Sequence, residues 1–373
     1  MSTTNISSRN QNLLWAISGG RCEYEGCNKV LHTDILTKKM YNSAYVAHIV
    51  ADEPNGPRGD INRSKSQSDD INNLMLVCDV HHRLIDKVDV AGHPESRLLE
   101  MKKKHENRIM RLTSIAPELS SEIILYGANI GNHNSLLSYH SACETIFPDF
   151  YPASNDAIEL GVKNTALTDS TGVYWSAEAE NLSLQFNQKV KSRLMQGNTC
   201  HYSVFALAPQ PLLIKLGVLL NDLHNLRVYQ KHREPSTWKW QHASAGITYS
   251  LREPTVKNPV PALVFSLSAT VTYDRIKKVL GTNVSIWEIK IDTPSNDFLK
   301  TEKLLSDFRY ITRLAFDKIK SHHGCVDLHI FPAMPISASV ELGRVWMPKA
   351  DMPLVIYDEN KANNGFFKAI IIN

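Results

Sequence analysis

The chain has 373 residues, with 41 Lys and Arg against 38 Asp and Glu for a net charge of +3. At roughly 150 residues per domain this length predicts two or three domains, and the near balance of charge excludes a chain-wide basic field for holding nucleic acid, so any basic surface must be local. Met1 to Asn12 is polar without an apolar signal core, no apolar run approaches the ~20 residues that span a bilayer, and Cys143, Cys200 and Cys325 lie too far apart for a disulfide framework; the expectation is a soluble cytoplasmic protein with no membrane partner.

In chain order, Ser7 or Ser8 caps a short helix whose Leu13, Leu14 and Ile17 share a face, and Gly19-Gly20 ends it. Cys22 and Cys27 then form a Cys-x4-Cys knuckle. Ala44 to Val50 is β-prone and carries His48, and the polar loop Asp52 to Asp70 holds Gly56-Pro57-Arg58-Gly59-Asp60. Asn72 to Lys87 is the chemical centre of the region, with Asn73, a Cys78-x2-His81 pair and His82 inside a few turns. Glu95 to Arg111 reads as the most basic helix, and Thr113 to Ser121 as a linker.

The paired spacings predict a four-coordinate structural zinc on Cys22, Cys27, Cys78 and His81, a staple for a region with few large apolar side chains. His48, Asn73 and His82 form the expected catalytic set of a ββα-metal arrangement. His48 is the general base on water, His82 binds a divalent ion (Mg2+ or another) that neutralises the scissile phosphate, and Asn73 orients the base or joins the metal shell. Arg58, Lys102 and Lys103 are candidate phosphate contacts on DNA.

Beyond the linker, strand-like runs (123–126, 202–207, 227–230, 263–267, 285–291, 326–331, 354–357) alternate with helix-like runs (177–195, 211–222, 296–320), the pattern of an α/β sheet with helices on its faces. A weak repeat relates Phe205-Ala206-Leu207-Ala208-Pro209 and Leu216-Gly217 to Phe331-Pro332-Ala333-Met334-Pro335 and Leu342-Gly343. It predicts two pseudo-symmetric Rossmann-like lobes with a ligand cleft at the carboxyl ends of strands. A nucleotide there needs flat faces, which Tyr229, Trp238, Trp240 and Tyr174-Trp175 offer, and phosphate donors, which Lys231, Arg233, Ser266 and Ser268 offer.

Ala47-His48-Ile49, the Gly56 to Gly59 loop, Asn73-Leu74 and Cys78-x2-His81-His82-x3-Asp86 resemble HNH endonucleases, with one departure: many such enzymes place Asp or His immediately before the base, where this chain has Ala47. Asp52, Asp60, Asp69, Asp70, phosphate or water then remain as sources of the missing ligand. Val228-Tyr229-Gln230 with Trp238 and Trp240, Phe265 to Ala269, and Phe331 to Pro335 with Leu342-Gly343-Arg344 resemble a SAVED domain. That resemblance implies two fused CARF-like lobes, and adds Gln230, Met334 and Pro335 to the ligand residues. Together the likenesses imply an α+β HNH domain (1–112), a linker (113–121) and an α/β SAVED domain (122–373) in a bacterial anti-phage (CBASS) effector. They also imply double-stranded DNA as substrate, a cyclic di- or trinucleotide such as a cGAMP isomer as activator, and homo-oligomers, dimers assembling to tetramers, as the active form. The alternatives are a restriction-type nuclease whose C-terminal domain recognises DNA, and a zinc-stabilised regulator without catalysis.

Overall fold

The computed structural model describes residues 5–131, 137–162, 167–195, 201–221, 223–241, 246–360 and 365–373; Cys200 and Asp222, named above, lie outside them. Contacts divide the chain into two units, Met1–Ala116 and Pro117–Asn373.

In the first unit helix α1 (Ser8–Ile17) starts where Ser7 Oγ accepts the Asn10 N–H, and it buries Leu14. Strand β1 (Ala44–His48) pairs antiparallel with β2 (Leu74–Cys78), with His48 opposite Leu74 and Ala44 opposite Cys78. Helix α2 (Asp79–Arg83) follows directly, continues through a π turn over Leu84–Val88, and leads to α3 (Glu95–Thr113). Leu14, Leu31, Ala47, Ile49, Leu74 to Val77, Ile85, Leu98 and Met101 make a small core. A lone two-stranded sheet is marginal in water, so this ribbon depends on that core and on side-chain anchors.

The expected linker is shorter than 113–121. After α3 a 3-10 turn (Pro117–Leu119) leads into β3 (Ser120–Gly127), and Ser121 is interior to the sheet, its Oγ 2.8 Å from Ser203 Oγ and 2.9 Å from His201 Nδ1. Ser121, which reads as linker polarity, is paired with Ser203 of the neighbouring strand.

The second unit has two sheets. In the first lobe come β3, α4 (Tyr139–Ile146), β4 (Tyr151–Pro152), β5 (Ile158–Leu160), α5 (Gly172–Gln185), a π segment over Phe186–Lys191, α6 (Ser192–Met195), β6 (Tyr202–Leu207), α7 (Gln210–Leu219) and β7 (Leu226–Val228). Its parallel sheet runs β4-β3-β6-β7, with β5 also on β3. In the second lobe come β8 (Ser250–Arg252), β9 (Val260–Ser266), α8 (Tyr273–Leu280), β10 (Val284–Lys290), α9 (Glu302–His323), β11 (Leu328–Ala333), α10 (Ile336–Val345), β12 (Leu354–Asn360) and β13 (Gly365–Ile372). The order is β13-β12-β11-β9-β10-β8, parallel inside and antiparallel at both edges. Near-continuous apolar runs such as Leu263-Val264-Phe265 are what a parallel strand covered on both faces requires.

The repeat is a physical one: β6–α7–β7 matches β11–α10–β12, and α7 packs on α10 at its internal Leu-Gly. A Cβ on Gly217 would stand 2.0 Å from the Val340 carbonyl oxygen, and one on Gly343 2.0 Å from that of Ile214. Only glycine permits this crossing. Gly217→Ala should cost about 1–3 kcal/mol by overpacking; in denaturant titrations of the full chain, the double variant with Gly343→Ala should lose less than the sum of the singles, because both disturb one contact. Burial, with Asp169 close by, pushes the Asp358 carboxyl on β12 up to about 7. The folded chain therefore keeps a proton that the unfolded chain releases near 3.8, so stability falls as pH rises from there to about 7, and Asp358→Asn should flatten that slope in the same titrations.

Candidate functional site

The knuckle, the end of β2 and the first turn of α2 bring Cys22, Cys27, Cys78 and His81 together, with their ligand atoms all within 4.8 Å of one another. Cys78 Sγ is 3.2 Å and Cys22 Sγ 3.6 Å from His81 Nδ1, distances that fit the ligands of a tetrahedral Zn2+. Tyr24 stacks on the His81 ring at 4.0 Å and donates or accepts a 2.9 Å hydrogen bond with His93, which fixes the imidazole plane. Burial pushes the Cys22 thiol far up, opposed by the Cys78 and Tyr24 backbone N–H groups, so a cation is what makes the thiolate affordable there. Burial lowers His81, with the His93 charge adding to it, and keeps it a neutral ligand.

His48 closes β1, buried, with Nε2 2.9 Å from the Ser68 carbonyl oxygen. A carbonyl only accepts, so Nε2 carries the proton and the Nδ1 lone pair is the basic position. Asn73 is also buried: its Oδ1 accepts the Val50 N–H at 2.7 Å, and its Nδ2 donates to Val50 O at 2.8 Å and Gln67 O at 3.1 Å. Its carboxamide therefore holds the chain just after His48 and just before Ser68. Of the two roles expected for Asn73 this geometry serves orientation, and a place in a metal shell would cost it these bonds.

His82, on α2, stacks on Tyr45 at 5.0 Å and lies 3.4 Å from Asp86 through Nε2. Burial lowers its pKa against the opposing charges of Asp86 and Asp79. A neutral imidazole and a carboxylate oxygen at this spacing match two adjacent positions in the shell of a divalent ion. Asp86 was not among the expected ligands, although its i+4 spacing from His82 puts both on one helical face. Ala47 is in the core and supplies nothing. Of the alternatives, Asp69 takes the Ser7 N–H and hydroxyl, Asp60 the Asn62 and Arg63 N–H groups, and Asp70 the Asn72 N–H.

Two expected DNA contacts are corrected. Arg58 is 7 % exposed at its side chain and is bonded to three backbone carbonyls and to Asp86, so it has no fork to offer a phosphate. Lys102 is buried against Glu106 and beside Glu23, whose carboxyl burial pushes up to about 8 against the opposing Lys102 charge. Helix periodicity turns Lys102 inward with Leu98, Met101 and His105, while Lys103 is exposed.

The ligand residues divide in the same way. Tyr229 and Trp238, 3 % and 6 % exposed, both pack on Phe205, at 4.5 Å stacked and 5.3 Å edge-on, and the Lys231 ammonium lies 5.7 Å from the Trp238 ring centre, so both rings are buried among these partners. Tyr174 and Trp175 are core as well. Gln230 accepts from Ser337 N (3.1 Å) and Oγ (2.7 Å), and Ser266 donates to Glu288 at 2.6 Å. Met334 and Pro335 are buried where β11 turns into α10.

What gathers at the carboxyl ends of β9, β10 and β11 is a different set. Leu267 and Ser268 N–H groups donate to Ala333 O, Ser295 N–H to Leu267 O, Gln241 N–H to Lys300 O, and Arg233 and Glu234 N–H groups to Asp297. This ladder brings Lys231, Arg233, Trp240 and Ser268 to one end of the sheet. It also brings His232, 1 % exposed, whose Nδ1 lies 3.9 Å from Asp297 and both of whose ring nitrogens lack a hydrogen-bond partner among the described residues, as do Trp240 Nε1 and Gln241 Nε2. Buried donors and acceptors left open are costly unless something binds them. Burial, with the Lys300 and Lys231 charges, lowers His232 against Asp297, so the ring offers one donor and one acceptor. A lone histidine between lysine and arginine gave no signal of this in the sequence.

Residues 182–372 match the family model of the SMODS-associated and fused to various effectors sensor domain, SAVED. No curated protein matches the chain. Similar solved structures include the Acinetobacter baumannii Cap4 SAVED/CARF-domain containing receptor with the cyclic trinucleotide 2'3'3'-cAAA, at 12% identity and a TM-score of 0.45, covering 74% of this chain and 56% of that one. The Moraxella osloensis Cap4 receptor is 10% identical with a TM-score of 0.38, covering 75% and 61%. This chain thus spans less than two thirds of the length of either receptor.

Metal analysis of the purified chain should find one tightly held zinc. Cys78→Ala, or a strong chelator, should remove it and melt the first unit while the second keeps its own unfolding transition by circular dichroism, because a structural zinc contributes on the order of 10 kcal/mol to so small a fold.

Proposed function

The chain belongs to the SAVED sensor-domain family, and from that premise we propose that it is a CBASS effector in which a cyclic oligonucleotide, bound by the second unit, switches on metal-dependent cleavage of double-stranded DNA by the first. One observation supports the nuclease half: a ββα unit with a Cys3His cluster carries a buried strand histidine bonded through Nε2, and Arg58 links the main chain of that histidine to the carboxylate of the His82–Asp86 pair.

In this reading His48 Nδ1 takes a proton from the attacking water while the Ser68 carbonyl holds the ring through Nε2. Asn73 keeps Val50 and Gln67, on either side of that bond, in place. His82 and Asp86 would hold the divalent ion, which when bound supplies charge neutralisation at the phosphate and at the departing oxygen. Lys103, exposed on α3, supplies sequence-independent phosphate attraction.

The sensor half is supported by the ring nitrogens of His232, Trp240 Nε1 and Gln241 Nε2, which lack hydrogen-bond partners among the described residues at the carboxyl ends of the strands, where α/β sheets bind nucleotides. Lys231, Arg233 and Ser268 add donors for phosphates. The activator is a cyclic di- or trinucleotide; the Acinetobacter baumannii receptor carries a cyclic trinucleotide. A nuclease harmful to its host must rest inactive, so the nucleotide must favour the active assembly by about 5 kcal/mol for a near-complete switch. Ligand-driven association of subunits is the form of switch proposed.

Plasmid incubated with the protein and Mg2+ should be cut only when one member of a panel of cyclic di- and trinucleotides is added. His48→Ala should lower the rate by about 10²–10⁴-fold without changing nucleotide binding. Cutting without any nucleotide would instead favour a restriction-type enzyme, and an unchanged rate in the His48 variant would remove that residue from the reaction. His232→Ala should weaken nucleotide binding by calorimetry and leave the zinc content at one equivalent.

A further inference from the structure

We infer that Arg58 is a positioning residue that registers the strand carrying His48 on the helical turn carrying His82 and Asp86; the inference rests on the nuclease reading above. Its Nε donates to Ile49 O at 2.6 Å and its Nη1 to Ile85 O at 2.8 Å. Its Nη2 is shared between His48 O at 3.3 Å and Asp86 Oδ1 at 2.7 Å. One guanidinium therefore grips the main chain of His48, of Ile49 just past the end of β1, and of the π turn behind α2, as well as the carboxylate beside His82. It occupies Oδ1 of Asp86 and leaves Oδ2, 3.4 Å from His82 Nε2, facing the imidazole.

The loop is built for this reach. Arg58 has φ +58°, a left-handed conformation costing a non-glycine residue about 1 kcal/mol, which persists only where the surroundings fix it. The chain doubles back so tightly that a Cβ on Gly59 would meet the Pro54 carbonyl oxygen at 2.3 Å, and one on Gly56 would meet Ala51 Cβ at 2.6 Å. Those two glycines turn the arginine under the sheet instead of outward. Charge-assisted bonds from a buried guanidinium to carbonyls and a carboxylate are the strong kind, and the flat fork fixes direction as well as distance. Displacing a base or an ion ligand by about 1 Å costs up to 10²-fold in rate, and removing a residue behind a metal ligand costs 10–100-fold in affinity or activity.

The test compares Arg58→Met and Arg58→Lys with the parent full chain in nucleotide-activated DNA cleavage, and titrates Mn2+ calorimetrically into the same variants built on His48→Ala, with zinc content as the control for folding. For Arg58→Met the expected result is a kcat lowered about 10–100-fold with KM for DNA within about twofold of the parent, and a Mn2+ affinity lowered by a similar factor. Ethylguanidinium added to Arg58→Ala should recover part of both losses. A raised KM with kcat kept would make Arg58 a phosphate contact and overturn the inference, as would unchanged kcat and Mn2+ affinity. If Arg58→Met loses its zinc, the decision passes to Arg58→Lys, which keeps stem and charge but not the fork, and for which the same losses are expected. If the parent cuts no DNA under any nucleotide, the nuclease reading fails and the Mn2+ titration alone decides: lost affinity upholds the positioning role and unchanged affinity ends it.

Discussion

A ribbon of two five-residue strands cannot hold the buried His48 still by its own ladder. The first unit solves this by tying main-chain groups to buried polar side chains. Asn73 bridges Val50 and Gln67, Arg58 bridges β1 to the turn behind α2, and the Cys3His cluster joins the knuckle to the end of β2. Asn73 and Arg58 fasten main chain within two residues of His48, and the cluster includes His81 next to His82. The apolar core is too small to make these anchors redundant, so geometry at the site and stability of the unit depend on the same bonds.

The second unit faces the opposite problem. It has ample apolar surface and must bring two similar lobes close enough to share a cleft. The crossing of α7 and α10 at Gly217 and Gly343 sets that distance. Two of its polar ties, Gln230 to Ser337 and Gln210 to the Met334 N–H, cross from one lobe to the other near the helix entries. These ties couple the helix entries of the two lobes, so a shift of one lobe is felt at the corresponding turn of the other.

Much of this was legible in residues and spacing. The Cys-x4-Cys and Cys-x2-His pairs predicted the cluster that forms, since two short-range pairs need only one long-range contact to meet. The paired Leu-Gly steps predicted the lobe repeat. Polar residues misled wherever type was read without direction. Arg58 between glycines looked exposed, but a left-handed turn sends it inward; Lys102 looked like its neighbour Lys103, but one step of a helix is about 100° of rotation. Tyr229 and Trp238 looked like stacking faces because aromatic residues after a strand serve either purpose, and here Phe205 takes both. Asp86 was legible in its i+4 spacing from His82, whereas nothing in the sequence marks the buried ring of His232, whose nitrogens have no hydrogen-bond partner among the described residues.

The anchors around His48 share one property with a bearing on how such a protein changes over generations. Ser68, Ile49, Ile85, Val50 and Gln67 each contribute main-chain groups to the held geometry, through a carbonyl or an N–H that every amino acid except proline carries in full. The side chains of Ser68 and Gln67 can therefore vary without moving the histidine, whereas Ile49, Val50 and Ile85 are held to apolar types by the core they fill. The burden of sequence identity falls on the few residues that reach across, Arg58, Asn73 and the glycines that turn the loop, and the main chain they grip asks only for packing.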